Sequence, residues 1–90
     1  MMTLLNLLEG FKDGQDILVR LKNGDEFNLY DFEIVDESIY DRNDLVMATI
    51  RHVVFSKFHY RNGTKLEFVL SDVLALTDPV TGVNYFETKK

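Results

Sequence analysis

The sequence predicts one small, mainly β domain, an antiparallel barrel of five or six strands with a short helix at its N-terminal end. Three observations lead to this prediction. The chain has 90 residues, which is enough for one hydrophobic core. Apolar and polar residues alternate in short runs, as they do in strands that bury one face. Asn-Gly pairs at 23–24 and 62–63 interrupt these runs, and this dipeptide is typical of β-hairpin turns.

The first predicted element is a short helix over residues 3–12. Leu4, Leu8 and Phe11 recur at the spacing of one helical face, and Thr3 is a suitable N-cap. We expect this apolar face to pack over the open end of the barrel. Contact with another copy of the chain is an alternative. A lipid surface is disfavoured because the polar face carries almost no Lys or Arg.

The strongest pattern is a hairpin centred on Asn23-Gly24, with strands at 16–22 and 25–35. A two-residue type I′ turn is predicted because Asn and Gly both tolerate positive φ. In the second strand the apolar period changes phase and continues at Phe32 and Ile34. Such a change predicts a bulge or a sharp bend, as in a strand that passes from one side of a barrel to the other.

The remainder of the chain contains five further predicted strand segments, at 44–50, 51–60, 64–70, 73–77 and 83–86, of which the first two follow each other directly. The first of these is almost entirely apolar, as in a central strand that is covered on both faces. Asn62-Gly63 predicts a second hairpin, and Ser71-Asp72 predicts a single 3₁₀ turn. Pro and Gly in residues 78–82 suit a type I turn with a bulge, which returns the last strand antiparallel.

Composition excludes several classes of protein. There is no cysteine, so disulfides, thiolate metal sites and thiol nucleophiles are absent. A small chain without disulfides fits a reducing compartment. No apolar run is long enough to span a membrane, and the first residues lack the pattern of a signal peptide. We therefore expect a cytoplasmic protein that does not associate with a membrane.

Charge is distributed unevenly along the chain, whose formal net charge is −5. Residues 25–44 contain eight acids and one base, whereas residues 51–65 contain four bases, two histidines and no acid. We expect an acidic side and a basic side on the domain. The alternative is that both are ordinary solvated surfaces. The residues predicted for the acidic side are Glu33, Asp36, Glu37, Asp41 and Asp44.

Three short segments carry a resemblance to a known fold family. They are Leu21-Lys22-Asn23-Gly24, Leu29-Tyr30-Asp31-Phe32-Glu33 and Asn43-Asp44-Leu45-Val46. Together with the order of predicted elements, they resemble the Sm-like version of the SH3-type small barrel, whose motifs include Leu-x-x-Phe-Asp and Asn-x-Val. The resemblance implies this fold and ring-like association.

The resemblance does not imply RNA binding. Where the family has an Arg-Gly pair, this chain has Leu70-Ser71. About nine residues also separate Glu33 from Asn43, where the family has a tight turn. The two residues that jointly hold a base in the family are therefore displaced from each other here.

No catalytic, cofactor or metal site is predicted. His52 and His59 are an odd number of residues apart on one predicted strand, so they point to opposite faces and cannot share a metal or a proton. The acids of residues 36–44 lack the spacing and the central Gly of a calcium loop. No serine lies in a nucleophile elbow, and no Gly-rich phosphate loop occurs. We expect a protein without enzymatic activity.

Two binding hypotheses remain. In the first, the protein is a protein-interaction or self-assembly module, because its two charged sides are complementary and its β-edges can pair into a homo-oligomer. A small bacterial or phage accessory protein that occludes a partner would have these properties. In the second, the basic strand binds nucleic acid or nucleotide, with aromatic rings stacked on bases. The predicted interaction residues are Arg51, Phe55, Lys57, Phe58, His59, Tyr60, Arg61 and Tyr85.

Overall fold

The computed structural model describes residues 4–12, 14–34 and 45–88. These ranges contain one α-helix and six strands. They are α1 (Leu4–Gly10), β1 (Ile17–Leu21), β2 (Glu26–Ile34), β3 (Leu45–Phe55), β4 (Lys65–Val69), β5 (Val73–Thr77) and β6 (Asn84–Glu87). A 3₁₀ turn at Leu70–Asp72 lies between β4 and β5, as predicted. The protein is therefore mainly β. No helix in the described ranges is both long enough and apolar enough to cross a membrane.

All six strands belong to one antiparallel sheet with the order β4-β3-β2-β1-β5-β6. Strands that follow one another along the chain are neighbours, except that β5 returns to pair with β1. The two outer strands of the described sheet are β4 and β6. They are not paired with each other within the described residues, so the structure shows an open antiparallel sheet, and closure into a barrel stays a prediction.

The core lies on one face of the sheet and beneath α1. Leu8 of α1 is only 2% exposed, which confirms that the helix packs on the sheet. Phe11, just after α1, packs its ring against Phe32 and Tyr85. Burial of each large apolar side chain stabilises the fold by about 1.5–3 kcal/mol. The buried cluster consists of Leu8, Ile17, Val19, Leu21, Phe27, Leu29, Val46, Ala48, Ile50, Leu66, Phe68, Val73 and Leu76.

The β1–β2 hairpin is confirmed, but the predicted two-residue type I′ turn is wrong. Leu21 N donates to Asp25 O at 2.9 Å, and Gly24 N donates to Leu21 O at 3.0 Å, so three residues form the loop. Gly24 has φ 100°, whereas Asn23 does not have a positive φ. This is a type I turn followed by a glycine bulge. Asn23 Oδ1 instead accepts a hydrogen bond from Asp25 N at 2.9 Å, which fixes the turn through its side chain.

The predicted change of phase in β2 is confirmed. The pairing of β2 with β3 shifts between Tyr30 and Glu33. Asp31 has φ 56°, the one positive φ among the described non-glycine residues. Asp is tolerated in this region better than most residues, and Asp31 Oδ1 also accepts a hydrogen bond from Gly14 N at 2.6 Å. After this bulge, Phe32 packs against the core.

Residues 45–50 and 51–55, which were predicted to lie in two separate strands (44–50 and 51–60), form one strand, β3. The pairing of β3 with β2 shifts by one residue at Arg51. Ile50 before this bulge is fully buried, and Val53 after it also packs against the core. Because an extra residue reverses which alternate side chains face inward, the sequence pattern resembled the end of one strand and the beginning of another.

The predicted strand 51–60 is also too long, because β3 ends at Phe55. Residues 56–64 form a loop between β3 and β4. Ser56 Oγ accepts a hydrogen bond from Phe58 N at 3.1 Å, which turns the chain out of the extended conformation. The two histidines therefore do not share one strand. The basic residues expected on that strand lie on the loop instead, and they are Lys57, His59 and Arg61.

The last hairpin joins β5 to β6 as predicted. Asp78 N donates to Val83 O at 2.8 Å, and Gly82 N donates to Asp78 O at 2.9 Å. Gly82 has φ 78°, a conformation that favours glycine. The other predicted elements lie within two residues of the observed ones at each end. The difference at residues 51–60 is the one that affects the candidate site.

Candidate functional site

Four large apolar side chains are exposed in the short stretch of chain at residues 54–60. Phe58 is 63% exposed and Phe55 is 54% exposed. Val54 and Tyr60 complete the group, which we call the aromatic patch. Val54 and Phe55 end β3, whereas Phe58 and Tyr60 belong to the loop at residues 56–64. A group of exposed apolar residues this dense is typical of an interaction site.

The aromatic patch is supported by the core. The Tyr60 ring meets the fully buried Phe27 ring edge-on at a centroid distance of 5.2 Å. Phe58 in turn meets Tyr60 edge-on at 6.3 Å. Such aromatic pairs contribute roughly 0.5–1.5 kcal/mol beyond the burial of area. Tyr60 therefore connects the exposed Phe58 to the interior of the sheet.

Hydrogen bonds hold the remainder of the loop. Asn62 Oδ1 accepts from Val53 N at 3.2 Å, beyond the point where β4 stops pairing with β3. Thr64 Oγ1 donates to Arg61 O at 2.7 Å. Gly63 has φ 89°, which favours glycine at this turn. The patch is therefore preorganised, and binding a partner would cost less ordering of side chains and loop.

Two bases carry unpaired positive charge beside the patch. Lys57 and Arg61 are exposed, and no carboxylate among the described residues forms an ion pair with either of them. His59 is exposed between them. Lys57 directly precedes Phe58 and Arg61 directly follows Tyr60, so positive charge flanks the two aromatic side chains of the loop.

Arg51 was predicted to belong to this surface, but its charge is used elsewhere. Arg51 Nε lies 3.0 Å from Asp16 Oδ1. Its guanidinium carbon lies 3.9 Å from the centre of the Tyr30 ring, in cation–π geometry. These contacts connect the bulge of β3 to β2 and to the residue before β1.

Tyr85 was also predicted to lie near the basic edge, and the structure places it against α1 instead. Its ring packs on Phe11 with the centroids 5.5 Å apart, and its hydroxyl donates to Asp78 Oδ2 at 3.1 Å. Burial raises the pKa of the Tyr85 phenol, and the hydrogen bond to Asp78 raises it further. The backbone N–H groups of Thr81 and Val80 lower the pKa of Asp78 because they stabilise its carboxylate.

Only one residue of the predicted acidic side lies in the described part of the chain. Glu33 on β2 is exposed, and its Oε1 lies 3.8 Å from Lys65 Nζ on β4. Lys65 is thus partly neutralised. No cluster of His, Asp and Glu in the described ranges has the arrangement of a metal site. Four predicted acidic residues lie outside the described residues, and they are Asp36, Glu37, Asp41 and Asp44.

Val54 is the member of the patch that sequence reasoning missed. In the pairing with β2, Phe55 lies opposite Glu26 and Val53 lies opposite Phe27, so Val54 is an extra residue without a partner on β2. Its side chain is exposed as a result. The sequence feature that could have revealed the exposed Val54 is the run of apolar residues at 53–55, which makes both faces of a strand apolar.

A second concave region lies between α1 and β6. It is an open pocket of about 340 Å³. Among the described residues that line it, Tyr85 is the one titratable side chain, so these residues provide no pair of groups for acid–base chemistry. The lining residues are Asn6, Leu7, Gly10, Phe11, Gln15 and Tyr85.

Comparison with known proteins identifies no relative. No protein-family model, no curated protein and no solved structure matches this chain.

Proposed function

We propose that this protein is a non-enzymatic protein-interaction module and that the aromatic patch is its contact surface. The observation that supports this proposal is the exposure of four large apolar side chains within residues 54–60. Leaving so much apolar surface in water is unfavourable for an isolated domain, and it becomes favourable when a partner covers that surface. In this proposal the module acts by occupying the surface of its partner and not by catalysis.

Phe55 and Phe58 are the proposed anchors of the contact. Aromatic residues carry a large part of the binding free energy in protein interfaces. Phe58 is supported from below by Tyr60, which rests on Phe27. The Phe58 side chain is thus exposed but held in place, which reduces the conformational entropy that it loses on binding.

We also propose that the sheet is a small barrel of the SH3 type in its Sm-like version. Three features support this proposal: a helix before β1, a bulge in β2 at Asp31, and a 3₁₀ turn at Leu70–Asp72 before β5. The return of β5 to pair with β1 also brings a late strand next to the first one, as a curled sheet requires.

Self-association is one form of the proposed interaction. β4 and β6 are the outer strands of the described sheet and expose one edge each. Pairing β4 of one copy with β6 of another is a heterologous contact, which closes into a ring or continues as a chain. A homo-oligomer formed in this way would leave the aromatic patch available for a second protein.

Nucleic-acid binding has weaker support. Arg51 is paired with Asp16, and Lys65 lies near Glu33, so two of the four predicted bases are partly neutralised within the chain. Affinity for nucleic acid grows with the number of phosphates that a protein neutralises. Lys57 and Arg61 alone, on a chain with a net charge of −5, would neutralise few of them.

The proposal can be tested by affinity capture from nuclease-treated extract of the source cell. The test variant combines Phe55→Ser with Phe58→Ser. The matched control combines Val80→Ser with Val83→Ser, which replaces two exposed apolar residues on the β5–β6 loop. We expect wild type and the control to enrich the same protein, measured by quantitative mass spectrometry, and the test variant to lose it. Equal enrichment by both variants would contradict the proposed surface.

A further inference from the structure

We infer that the segment bound by the aromatic patch is acidic and apolar, a stretch of protein that combines Asp or Glu side chains with at least one large apolar side chain. This inference rests on the proposed function of the patch and specifies the chemistry of its partner. It follows from the charges that surround the patch rather than from its apolar residues.

Along its own stretch of chain the patch is flanked by bases, and Glu26, the acid opposite Phe55 in the ladder, is itself paired with Arg20 at 3.3 Å. Residues 51–66 include no Asp or Glu. Three other described bases have carboxylate partners at 3.0–3.8 Å, in the pairs Arg20–Glu26, Arg51–Asp16 and Lys65–Glu33, whereas Lys12 and Lys22 form no ion pair with a described carboxylate. Lys57 and Arg61 have no such partner among the described residues. The fold therefore leaves positive charge unpaired at this surface.

The positions of Lys57 and Arg61 determine which kind of partner can bind the patch. Lys57 and Arg61 flank Phe58 and Tyr60 along the loop, and four peptide units place their Cα atoms within about 15 Å of each other. A partner that covers Phe58 would therefore also remove water from at least one of the two charges. Burying a charge without an opposite charge is strongly unfavourable. A neutral or basic segment would bury the positive charge without an opposite charge, whereas the carboxylates of an acidic segment would offset the cost of removing water from it.

A single-stranded nucleic acid satisfies the charge requirement less well. Its phosphates recur at every nucleotide, and the partly neutralised Arg51 and Lys65 leave only two unpaired bases in residues 51–65 to meet them. The exposed apolar groups also include Val54 and the aliphatic stem of Lys57, which match apolar side chains of a peptide better than stacked bases. An acidic protein segment is therefore the occupant that the surface favours.

The test uses the full chain and short fluorescein-labelled peptides in fluorescence anisotropy. The first peptide alternates Glu and Asp with Leu and Phe. The second replaces its acids with Lys, and the third replaces its apolar residues with Ser. An oligothymidine of equal length is the fourth probe. We expect wild type to bind the first peptide about tenfold more tightly than each of the others, and the affinity to fall at high salt.

A charge-reversed variant tests the role of the two bases. Lys57→Glu combined with Arg61→Glu should weaken binding of the first peptide about tenfold and strengthen binding of the second. The control combines Lys12→Glu with Val80→Glu and Val83→Glu, three exposed positions after α1 and on the β5–β6 loop, and it changes the net charge by the same amount outside the patch. It should leave the preference of wild type unchanged. Circular dichroism and light scattering verify that all variants fold and have the same mass.

Four other results would each contradict the inference. These results are equal binding of the acidic and basic peptides, no binding of any peptide by wild type, tighter binding of the oligothymidine, and a multimer that charge reversal dissociates, which would identify a second copy as the occupant. Failure of this inference can be distinguished from failure of the proposed function. If Phe55→Ser with Phe58→Ser abolishes binding but charge reversal does not alter it, the patch is the contact surface and only the acidic partner is wrong.

Discussion

The ring of Tyr60 meets the ring of Phe27 edge-on, with the ring centres 5.2 Å apart and the ring planes at 87°. Phe27 is fully buried and pairs with Val19 on one side and Val53 on the other. Tyr60 belongs to the loop that carries the exposed Phe58. This contact is therefore the link through which the core of the sheet positions the proposed binding surface.

Tyr60→Ala should release the loop from the core. We expect the free energy of unfolding to fall by about 1–3 kcal/mol, because the substitution removes a half-buried ring and an aromatic pair. Urea denaturation monitored by circular dichroism measures the change. Phe58→Ala is the control, since its ring is mostly exposed and its loss should cost less than about 1 kcal/mol. Equal destabilisation by the two substitutions would show that Tyr60 does not anchor the loop.

Gly24→Ala should destabilise the β1–β2 hairpin through the backbone alone. Gly24 has φ 100°, and the space around its Cα is open. An alanine at positive φ costs about 1–2 kcal/mol. Gly10→Ala is the matched control, because its surroundings are equally open and its φ is not positive. We expect Gly10→Ala to be neutral or slightly stabilising in thermal unfolding. If both substitutions had the same effect, conformational strain at Gly24 would not be the cause.

Asp31 combines a positive φ with a hydrogen bond to Gly14 N. Asp31→Ala should lower the free energy of unfolding by about 1–2 kcal/mol, since it loses the acceptor and retains the strained backbone. Asp31→Asn keeps an acceptor and tolerates the same φ, so it should cost less than half of that. Hydrogen exchange of the Gly14 amide, followed by NMR, should accelerate in the alanine variant only. Unchanged protection would exclude this hydrogen bond as the connection between the two segments.

Asp78 and Tyr85 should make stability depend on pH in two opposite ways, chiefly because the N–H groups of Thr81 and Val80 stabilise the Asp78 carboxylate and because the Tyr85 phenol is desolvated by burial. The folded pKa of Asp78 is below its usual 3.8, so this contribution is present above 3.8 and is lost as pH falls through the folded value. The folded pKa of Tyr85 is above its usual 10.0, so its contribution is present below 10.0 and is lost as pH rises through the folded value. Both contributions are fully present between these limits.

NMR titration of the Asp78 carboxyl carbon and the Tyr85 ring carbon measures both shifts against the urea-unfolded chain. In Tyr85→Phe, the pKa of Asp78 should rise but stay below its unfolded value, because the N–H groups of Val80 and Thr81 still donate to its other oxygen at 2.8 and 3.0 Å. A pKa of Asp78 equal to its unfolded value in wild type would contradict the described turn.

Part of the proposed binding surface was visible in the sequence. Phe55, Lys57, Phe58, Tyr60 and Arg61 were predicted as interaction residues from the alternation of aromatic and basic side chains, and the structure brings them together at one end of β3. Val54 was missed because its exposure depends on an unpaired position in the ladder with β2. Arg51 and Tyr85 were predicted with them, and the structure places them in contact with Asp16 and Asp78, which other parts of the chain contribute.

By itself, the sequence determined the type, order and approximate limits of the helix and strands, since the spacing of apolar residues and the propensities of Gly, Asn and Pro act over a few neighbouring residues. Only the tertiary structure decided where β3 bulges and stops, which turn closes the first hairpin, and which bases remain unpaired. These properties depend on the register between strands distant in sequence. An extra residue in one strand of a pair, such as Arg51, reverses the faces on which the following side chains lie. The local composition does not show where this occurs.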